Sequence, residues 1–428
     1  YRNNNNNFGN AYHVANNNWQ TIHNPVTEQL LINGENIELE KLTTSSDDIY
    51  YNSANTNRKD SKTNNLRLFH NDIKNILIQY ASKNKSKCSL IDLAVGKGGD
   101  IHKWIKNNLH SVLGIDISKD NIHNSNDGAC ARYLDLLNNR YNYKQIPICM
   151  FIHGDTSKRI FNDEFDFDDD YSEDSLKSSY IFKSLTGSIN KSEIKEEFLN
   201  ENYGIFKNKF DICSIQFAVH YMFKDEKTLH TFIKNVSDTT KIGSYFIGTC
   251  YNGKVVYEKL KEKDTIELFK DNNKIFHIKK KYNDNSDVFL NNNNNSLGYT
   301  ISVYQESINK EFDEYLVNFD YFKSVMKDYG FILEENFNYN NTLTKSVDSF
   351  ENLYNNIANL SLKDKKKYNW LDKLTKEEKE ISFLNNYFIF KKISDNIIDV
   401  YNDDVDYNKE FIIEKAIKLD KNIILKKE

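Results

Sequence analysis

Three acids and one cluster of glycines carry the chemistry most readily read from the chain. The apolar run Leu90-Ile91-Asp92-Leu93-Ala94-Val95 leads into Gly96-Lys97-Gly98-Gly99-Asp100, followed by a helix-like segment from Ile101 to Asn107. About 20 residues on, the second apolar run Val112-Leu113-Gly114-Ile115 ends in Asp116, and Asp155 follows a third run, Ile148 to His153. A buried strand, a tight turn and a helix start form a nucleotide-type binding turn, with the acid of the second strand suited to ribose hydroxyls. The spacing excludes two ligand classes. A dinucleotide turn needs a third glycine where Ile101 stands, and Asp100 would repel a pyrophosphate at the helix N-terminus. A P-loop fails because Gly98 and Gly99 replace its lysine and hydroxyl residue.

What fits is a ligand with an adenosine half, no phosphate and positive charge near the turn. S-adenosylmethionine has these properties, with Asp116 suited to its ribose and Asp155 to its adenine amino group. An acid at position 100 also suits any helix start, but three acids at successive strand ends favour the ligand reading. Lys74, on a helix spaced by apolar residues 66, 69, 73, 76, 77 and 80, is either a solvated charge or a contact to a ligand carboxylate or a backbone group.

The elements that must hold these groups read as repeating strand–helix units. Strands are expected at Leu90–Leu93, Val112–Asp116, Ile148–His153, Phe210–Gln216 and Gly243–Thr249. Helices are expected at Asp100–Asn107, from Ser118 to about Asn138, at Asp225–Ser237 and at Val255–Glu262. Further strands are expected at 274–280, 299–305, 331–337 and 387–391, with a helix near 321–329. The fold class is α/β, a doubly wound, mostly parallel sheet. Residues 1–45, with their Asn run, read as a disordered arm, 46–392 as the folded domain and 393–428 as a charged tail. Within the domain, 157–207 reads as an acidic insertion loop hanging away from the active face, and 291–295 as an Asn loop.

Composition narrows the class. The 428 residues include 13% aromatics, enough for a core, and only 2 prolines. A net charge of −5 argues against nucleic-acid binding by bulk charge while leaving room for a local basic groove. The five cysteines make no C-x-x-C pair, so buried thiols are expected and no metal site. No run approaches the roughly 18 apolar residues of a membrane helix.

Asp92-Leu93-Ala94-Val95-Gly96-Lys97-Gly98-Gly99-Asp100, with His102-Lys103-Trp104 after it, resembles the first motif of the mRNA cap guanine-N7 methyltransferases, D-L-G-C-G-K-G-G-D-L-x-K-W. Phe210 to Tyr221 is similar to that family's F-D-[IV]-[CV]-S-x-Q-F-x-x-H-Y, and Gly243 to Thr249 to its G-G-x-[FL]-[IL]-G-T. Tyr50-Tyr51-Asn52, Phe69 to Lys74 and Phe312 to Val317 resemble further segments, so the resemblance runs from about residue 50 to about 392. It implies a seven-stranded class I methyltransferase sheet with extra C-terminal strands and helices. For S-adenosylmethionine it implies Lys74, Ala94, Gly96, Asp100, Asp116, Asp155, Gln216 and Tyr221. For the cap it implies His70, Asn71, Lys97, Lys103, Arg132, His220, Glu314 and Tyr387. The capped 5′ end of nascent mRNA would be the substrate, with other capping enzymes or the transcription machinery as neighbours, a nuclear location and a monomeric state. Ala94 and His70 stand where the family has glycine and asparagine, and Tyr251 where it usually has proline. Ala disfavours positive φ, so a different cofactor affinity is expected.

Guanine N7 carries a free lone pair, so the implied reaction needs placement rather than a general base. His220, Tyr221 and Glu314 would orient the base, with Tyr221 or Tyr387 flanking its plane. Lys97, Lys103 and Arg132 would face the triphosphate. The competing readings are a methyltransferase for another RNA or small molecule and a non-catalytic RNA-binding module of the same fold.

Overall fold

The computed structural model of the chain describes residues 62–139, 146–160, 173–283, 287–306, 308–335 and 337–395. The arm at 1–45, the Tyr50-Tyr51-Asn52 segment and the tail beyond Ser394 and Asp395 fall outside these residues. The described chain opens with α1 (Asn64–Ser82), then β1 (Ser89–Asp92), α2 (Ile101–Lys106), β2 (Ser111–Asp116), α3 (Lys119–His123), α4 (Ala129–Asn139) and β3 (Ile148–His153). It continues through α5 (Glu173–Thr186), α6 (Glu197–Glu201), β4 (Phe210–Gln216), α7 (Glu226–Thr239), β5 (Thr240–Tyr251) and α8 (Gly253–Glu262). Next come β6 (Thr265–Lys270), β7 (Asn273–Lys280), β8 (Thr300–Gln305), β9 (Lys310–Tyr315), α9 (Phe319–Asp328) and β10 (Phe331–Leu333). β11 (Val347–Ser349), α10 (Phe350–Ala358), α11 (Leu362–Lys365), α12 (Lys376–Ser382) and β12 (Asn385–Lys392) complete it.

The main sheet runs β3-β2-β1-β4-β5-β12-β10. Its first five strands are all parallel, and β12 returns antiparallel to β5. β10 and β11 both pair antiparallel with β12, β10 along Phe390 to Lys392 and β11 along Asn386 to Phe388. The order reverses between β1 and β4, which is where a doubly wound sheet opens a ligand crevice at its carboxyl edge.

Alternation along the strands separates two cores. Ile91, Leu113, Ile115, Cys213, Ile215, Phe388 and Phe390 pack on one face with Phe232 and Ile233 of α7 and Phe322 of α9. Leu90, Val112, Ile212, Ile247, Tyr387 and Ile389 pack on the other with Phe69, Ile73 and Leu77 of α1 and with Trp104, Phe350 and Trp370. The central strands are buried on both faces, which is why they read as continuous apolar runs rather than alternating ones.

A second sheet, β6-β7-β8-β9, is antiparallel throughout. Phe276, Ile278, Ile301 and Val303 of this sheet pack on Val256, Tyr257 and Leu260 of α8. It brings β9 onto the short 3₁₀ turn Val219–Phe223 that follows β4.

Two expectations need correction. The described part of 157–207 is not a loop. It holds α5 and α6, and Phe182, Leu185, Leu199 and Phe206 are buried in the core beside β3 and β4. The helix expected from Ser118 to Asn138 is two helices, because Asn124-Ser125-Asn126-Asp127-Gly128 breaks it. Asn124 Oδ1 accepts the backbone N–H groups of Asn126 and Asp127, the side-chain competition that disfavours helix at Asn. Residues 291–295 do lie in a connection, closed by the 3₁₀ turn Asn294–Ser296 with Asn293 as its cap.

Gly248 in β5 is required by close approach. A Cβ there would collide with the Phe388 ring and the carbonyl oxygen of Ile215. Gly248→Ala should therefore lower unfolding stability by about 2–4 kcal/mol, measured by urea denaturation followed by circular dichroism. An unchanged midpoint would mean that β5 and β12 can separate without cost.

Candidate active site and family membership

The turn after β1 is built on two left-handed glycines, Gly96 at φ 54° and Gly98 at φ 68°. Ala94 does not adopt a positive φ, so the backbone objection to alanine there falls away. Its N–H donates to Asp92 Oδ1 at 3.2 Å. The Asp116 carboxylate closes the turn from β2. Its Oδ2 accepts the Gly96 N–H at 2.7 Å, and its Oδ1 accepts Ser118 N–H and Asn121 Nδ2, each at 2.9 Å. Burial raises the Asp116 pKa above the usual carboxylate value, against these hydrogen bonds.

Asp100 is the hub of the opposite side. Lys74 Nζ lies 2.7 Å and Lys103 Nζ 2.8 Å from its Oδ1. Burial alone would raise the Asp100 pKa, but the two ammonium groups outweigh it and hold the carboxyl well below its ordinary range. Lys103 also donates to Asn71 Oδ1 at 2.9 Å. Asp92, buried with Asp100 and Asp116 as neighbours, is pushed up to about 7 by burial first and by the Asp100 charge second. At the glycine turn, Asp100 is balanced by Lys74 and Lys103, while Asp116 presents a carboxylate from the end of β2. That set fits S-adenosylmethionine, with Asp116 as an acceptor for ribose hydroxyls and the Lys74–Asp100 pair suited to the zwitterionic amino-acid end of the ligand.

Beyond the turn, Asp155 Oδ1 accepts both the N–H and the hydroxyl of Ser157, at 2.9 and 2.7 Å. Gln216, at the end of β4, donates to Ser214 Oγ at 3.1 Å and accepts from Thr249 Oγ1 at 3.3 Å. The next residue, Phe217, has φ 57°, an uncommon conformation for a bulky side chain. Its N–H is held by the carbonyl and hydroxyl oxygens of Thr249 at 3.1 and 3.0 Å. This reversal turns the chain into the 3₁₀ turn carrying His220 and Tyr221, whose rings lie 4.2 Å apart.

His220 Nε2 faces Glu314 Oε2 of β9 at 3.5 Å, beyond hydrogen-bond length. Both side chains are buried, and neither nitrogen of His220 nor Oε2 of Glu314 has a hydrogen-bond partner. Burial pushes the Glu314 carboxyl up to about 8 and the His220 imidazole down to about 3. Buried polar groups are rarely left unsatisfied in a folded protein. The planar edge of a base with adjacent N–H donors would supply what Glu314 lacks.

The remaining expected site residues divide. His70 is tied to the C-terminal segment through Ser382 Oγ at 2.9 Å and stacks on Phe217 at 5.0 Å. Burial and the Lys74 charge push its imidazole down to about 3. Tyr387 is a correction. It was expected beside the base, but it is fully buried against the α1 face of the sheet, with its hydroxyl on the Lys345 carbonyl at 3.0 Å. The strand alternation of β12 directs it into that core. Lys97 and Lys103 do not stand open to a phosphate either. Lys103 is engaged by Asp100, and Lys97 by Asp120 at 3.0 Å and Asp127 at 2.8 Å. Asp92, Asp127 and Phe217 drew no role from the sequence, although the first and last lie inside the two recognised motifs.

The family described as the mRNA (guanine-N(7))-methyltransferase domain matches residues 36–176 and 166–393. A protein of Acanthamoeba polyphaga mimivirus named "Probable mRNA-capping enzyme" is 28% identical, covering 90% of this chain and 33% of its own length. The Arabidopsis thaliana "mRNA cap guanine-N(7) methyltransferase 1" is 27% identical over 64% of this chain and 60% of that protein. A protein of the yeast Debaryomyces hansenii named "mRNA cap guanine-N(7) methyltransferase" is also 27% identical, over 67% and 50%. The chain thus spans a third to three fifths of the length of these relatives. Among solved structures, an S-adenosylmethionine-dependent methyltransferase from Clostridium acetobutylicum superposes with a TM-score of 0.37 at 12% identity, over 79% of this chain and 94% of that one. The match to the family extends over the glycine turn, the 3₁₀ turn with His220 and the strand with Glu314, and the chain belongs to the mRNA (guanine-N(7))-methyltransferase domain family.

Proposed function

We propose that the chain transfers a methyl group from S-adenosylmethionine to N7 of the 5′-terminal guanosine cap of mRNA. The observation that carries this reading is the buried, unsatisfied pair of His220 and Glu314, brought together where β9 meets the 3₁₀ turn after β4. S-adenosylmethionine would supply an electrophilic methyl group on a positively charged sulfur. Lys74, Asp100, Asp116, Asp155 and Gln216 are the residues to hold it, around the turn at Ala94 and Gly96.

The protein's part is placement and field. Guanine N7 attacks with its own lone pair, so no side chain has to remove a proton. The ring gains positive charge as the methyl arrives, and a carboxylate at Glu314 favours that charge in a site shielded from water. The same carboxylate accepts the N1–H and the exocyclic amine hydrogens, which fixes the base edge. His220, held neutral by burial, can serve that edge without opposing the charge. Tyr221 is the aromatic residue left to flank the base once Tyr387 is in the core. A nuclear location, a monomeric state and neighbours in the capping and transcription machinery belong to the same proposal.

The direct test is incubation with unmethylated capped RNA and methyl-labelled S-adenosylmethionine, followed by nuclease release of the cap. Label is expected in N7-methylguanosine. Label in GTP or small amines with none in the cap would overturn the reading.

A further inference from the structure

Gly98 lies against the first residue of α4: a Cβ on it would sit 3.4 Å from Ala129 Cα. This contact brings the glycine turn beside the loop Asn124–Gly128 and the first turn of α4, which carries Arg132. Lys97 projects into that junction. Its side chain is only 6% exposed, with Nζ 2.8 Å from Asp127 Oδ1 and 3.0 Å from Asp120 Oδ2. Arg132 reaches the other oxygen of the same carboxylate, Nη2 to Asp127 Oδ2 at 4.0 Å. The Asp127 side chain is 46% exposed, so this carboxylate sits at the mouth of the junction rather than in the core.

One half-exposed carboxylate is hydrogen-bonded to a buried lysine through one oxygen and lies at ion-pair distance from an arginine through the other, so an anion already stands between two cations. We propose that Asp127 is an internal competitor for the polyphosphate arm of the substrate. It occupies the place between Lys97 and Arg132 that a phosphate takes, and it must turn outward when the phosphate binds. Asp120 stays on Lys97 from the first turn of α3 and fixes the ammonium in both states. Asp127 therefore sets how tightly polyphosphate ligands bind and favours those with enough charge to displace it. A nucleoside without phosphates gains nothing at this position. The inference deepens the cap-methylation reading, yet its first test stands apart from guanine recognition.

The probe is inorganic tripolyphosphate, titrated calorimetrically into the wild-type chain and the Asp127→Asn variant. The neutral amide keeps the shape and removes the competing charge. Affinity should rise by about five-fold, the equivalent of a partly exposed ion pair. Capped dinucleotide GpppA should show the same gain, while S-adenosylmethionine and guanosine should bind the two proteins equally. Lys97→Met should remove tripolyphosphate binding in either background. Unchanged or weaker tripolyphosphate binding by Asp127→Asn overturns the proposal, as does an equal gain for guanosine, which would signal a general change in the fold. If the variant gains tripolyphosphate affinity but wild-type protein never methylates GpppA, the reading of Asp127 stands and the guanine-N7 reading falls.

Discussion

Glu314→Gln should reduce methyl transfer to capped RNA by about 10²–10³-fold while leaving S-adenosylmethionine affinity within about two-fold of wild type. Glutamine keeps the volume of the buried side chain but presents one acceptor where the carboxylate presents two, and it carries no charge to favour the cationic ring. Glu314 lies on β9, whereas the residues proposed to hold the cofactor lie on α1, the β1 turn and the ends of β2, β3 and β4, so the two losses should separate. Parallel loss of both would place Glu314 in the fold instead. The pH dependence is part of the same expectation. Burial holds the Glu314 carboxyl at about 8, so near neutral pH the free protein carries the proton there. A guanine edge offers N–H donors and selects the ionised form, so binding expels that proton. KM for capped RNA should therefore fall as pH rises toward about 8 and then level, and the glutamine variant should lose this slope. The stability sign is opposite. A carboxyl with a raised folded-state pKa contributes stability that is complete below the ordinary carboxylate range and lost as pH rises through about 8. Thermal melts of the ligand-free protein should thus weaken over the same range in which KM improves.

Glu378→Ala should lower unfolding stability by about 3–5 kcal/mol. The Glu378 side chain is fully buried, and its two oxygens serve two helices. Oε1 accepts the N–H groups of Asn65 and Leu66, in the first turn of α1, at 3.0 and 3.1 Å. Oε2 accepts the Thr375 N–H at 3.0 Å, while Thr375 Oγ1 accepts the Glu378 N–H at 3.3 Å, a reciprocal capping box at the start of α12. Alanine leaves three backbone donors without an acceptor, at the positive ends of both helices. Because α1 carries His70, Asn71 and Lys74, the variant should also weaken cofactor binding, whereas Glu378→Gln, which retains one acceptor oxygen for α1, should recover most of it. Urea denaturation and cofactor titration check the two effects. A stability loss with untouched cofactor binding would show that α1 keeps its position without this cap.

The central sheet was legible because its strands are buried on both faces and end in recognisable turns. β3 and β4 begin and end where the apolar runs do. β6 and β9 were not legible as strands. Lys310–Tyr315 is rich in charge and Thr265–Lys270 is a short run broken by Glu267, and pairing within the second sheet is what brings Glu314 into a buried position. α12 carried a readable signal, Thr375 followed three residues later by Glu378, but its partner lies 313 residues away in α1. The site divides in the same way. Acids on strand ends could be read from position alone, since a strand end in a doubly wound sheet is a crevice position. The directions of Lys97, Lys103 and Tyr387 could not, because each depends on a neighbour from another element: Asp127, Asp100 and the α1 face of the core.

The place of β12 has a consequence for how the chain is made. This strand pairs with β5 on one side, from Tyr245 to Tyr251, and with β10 and then β11 on the other. Until Asn385–Lys392 has been synthesised, the β5 edge has no neighbour and neither β10 nor β11 has a sheet to join. A nascent chain that has already formed its nucleotide-binding half therefore waits with one flank open, and unpaired strand edges invite association between copies. The last described strand is the one that carries the sheet past β5, and truncations ending anywhere between β5 and β12 leave an exposed β5 edge rather than a smaller finished domain.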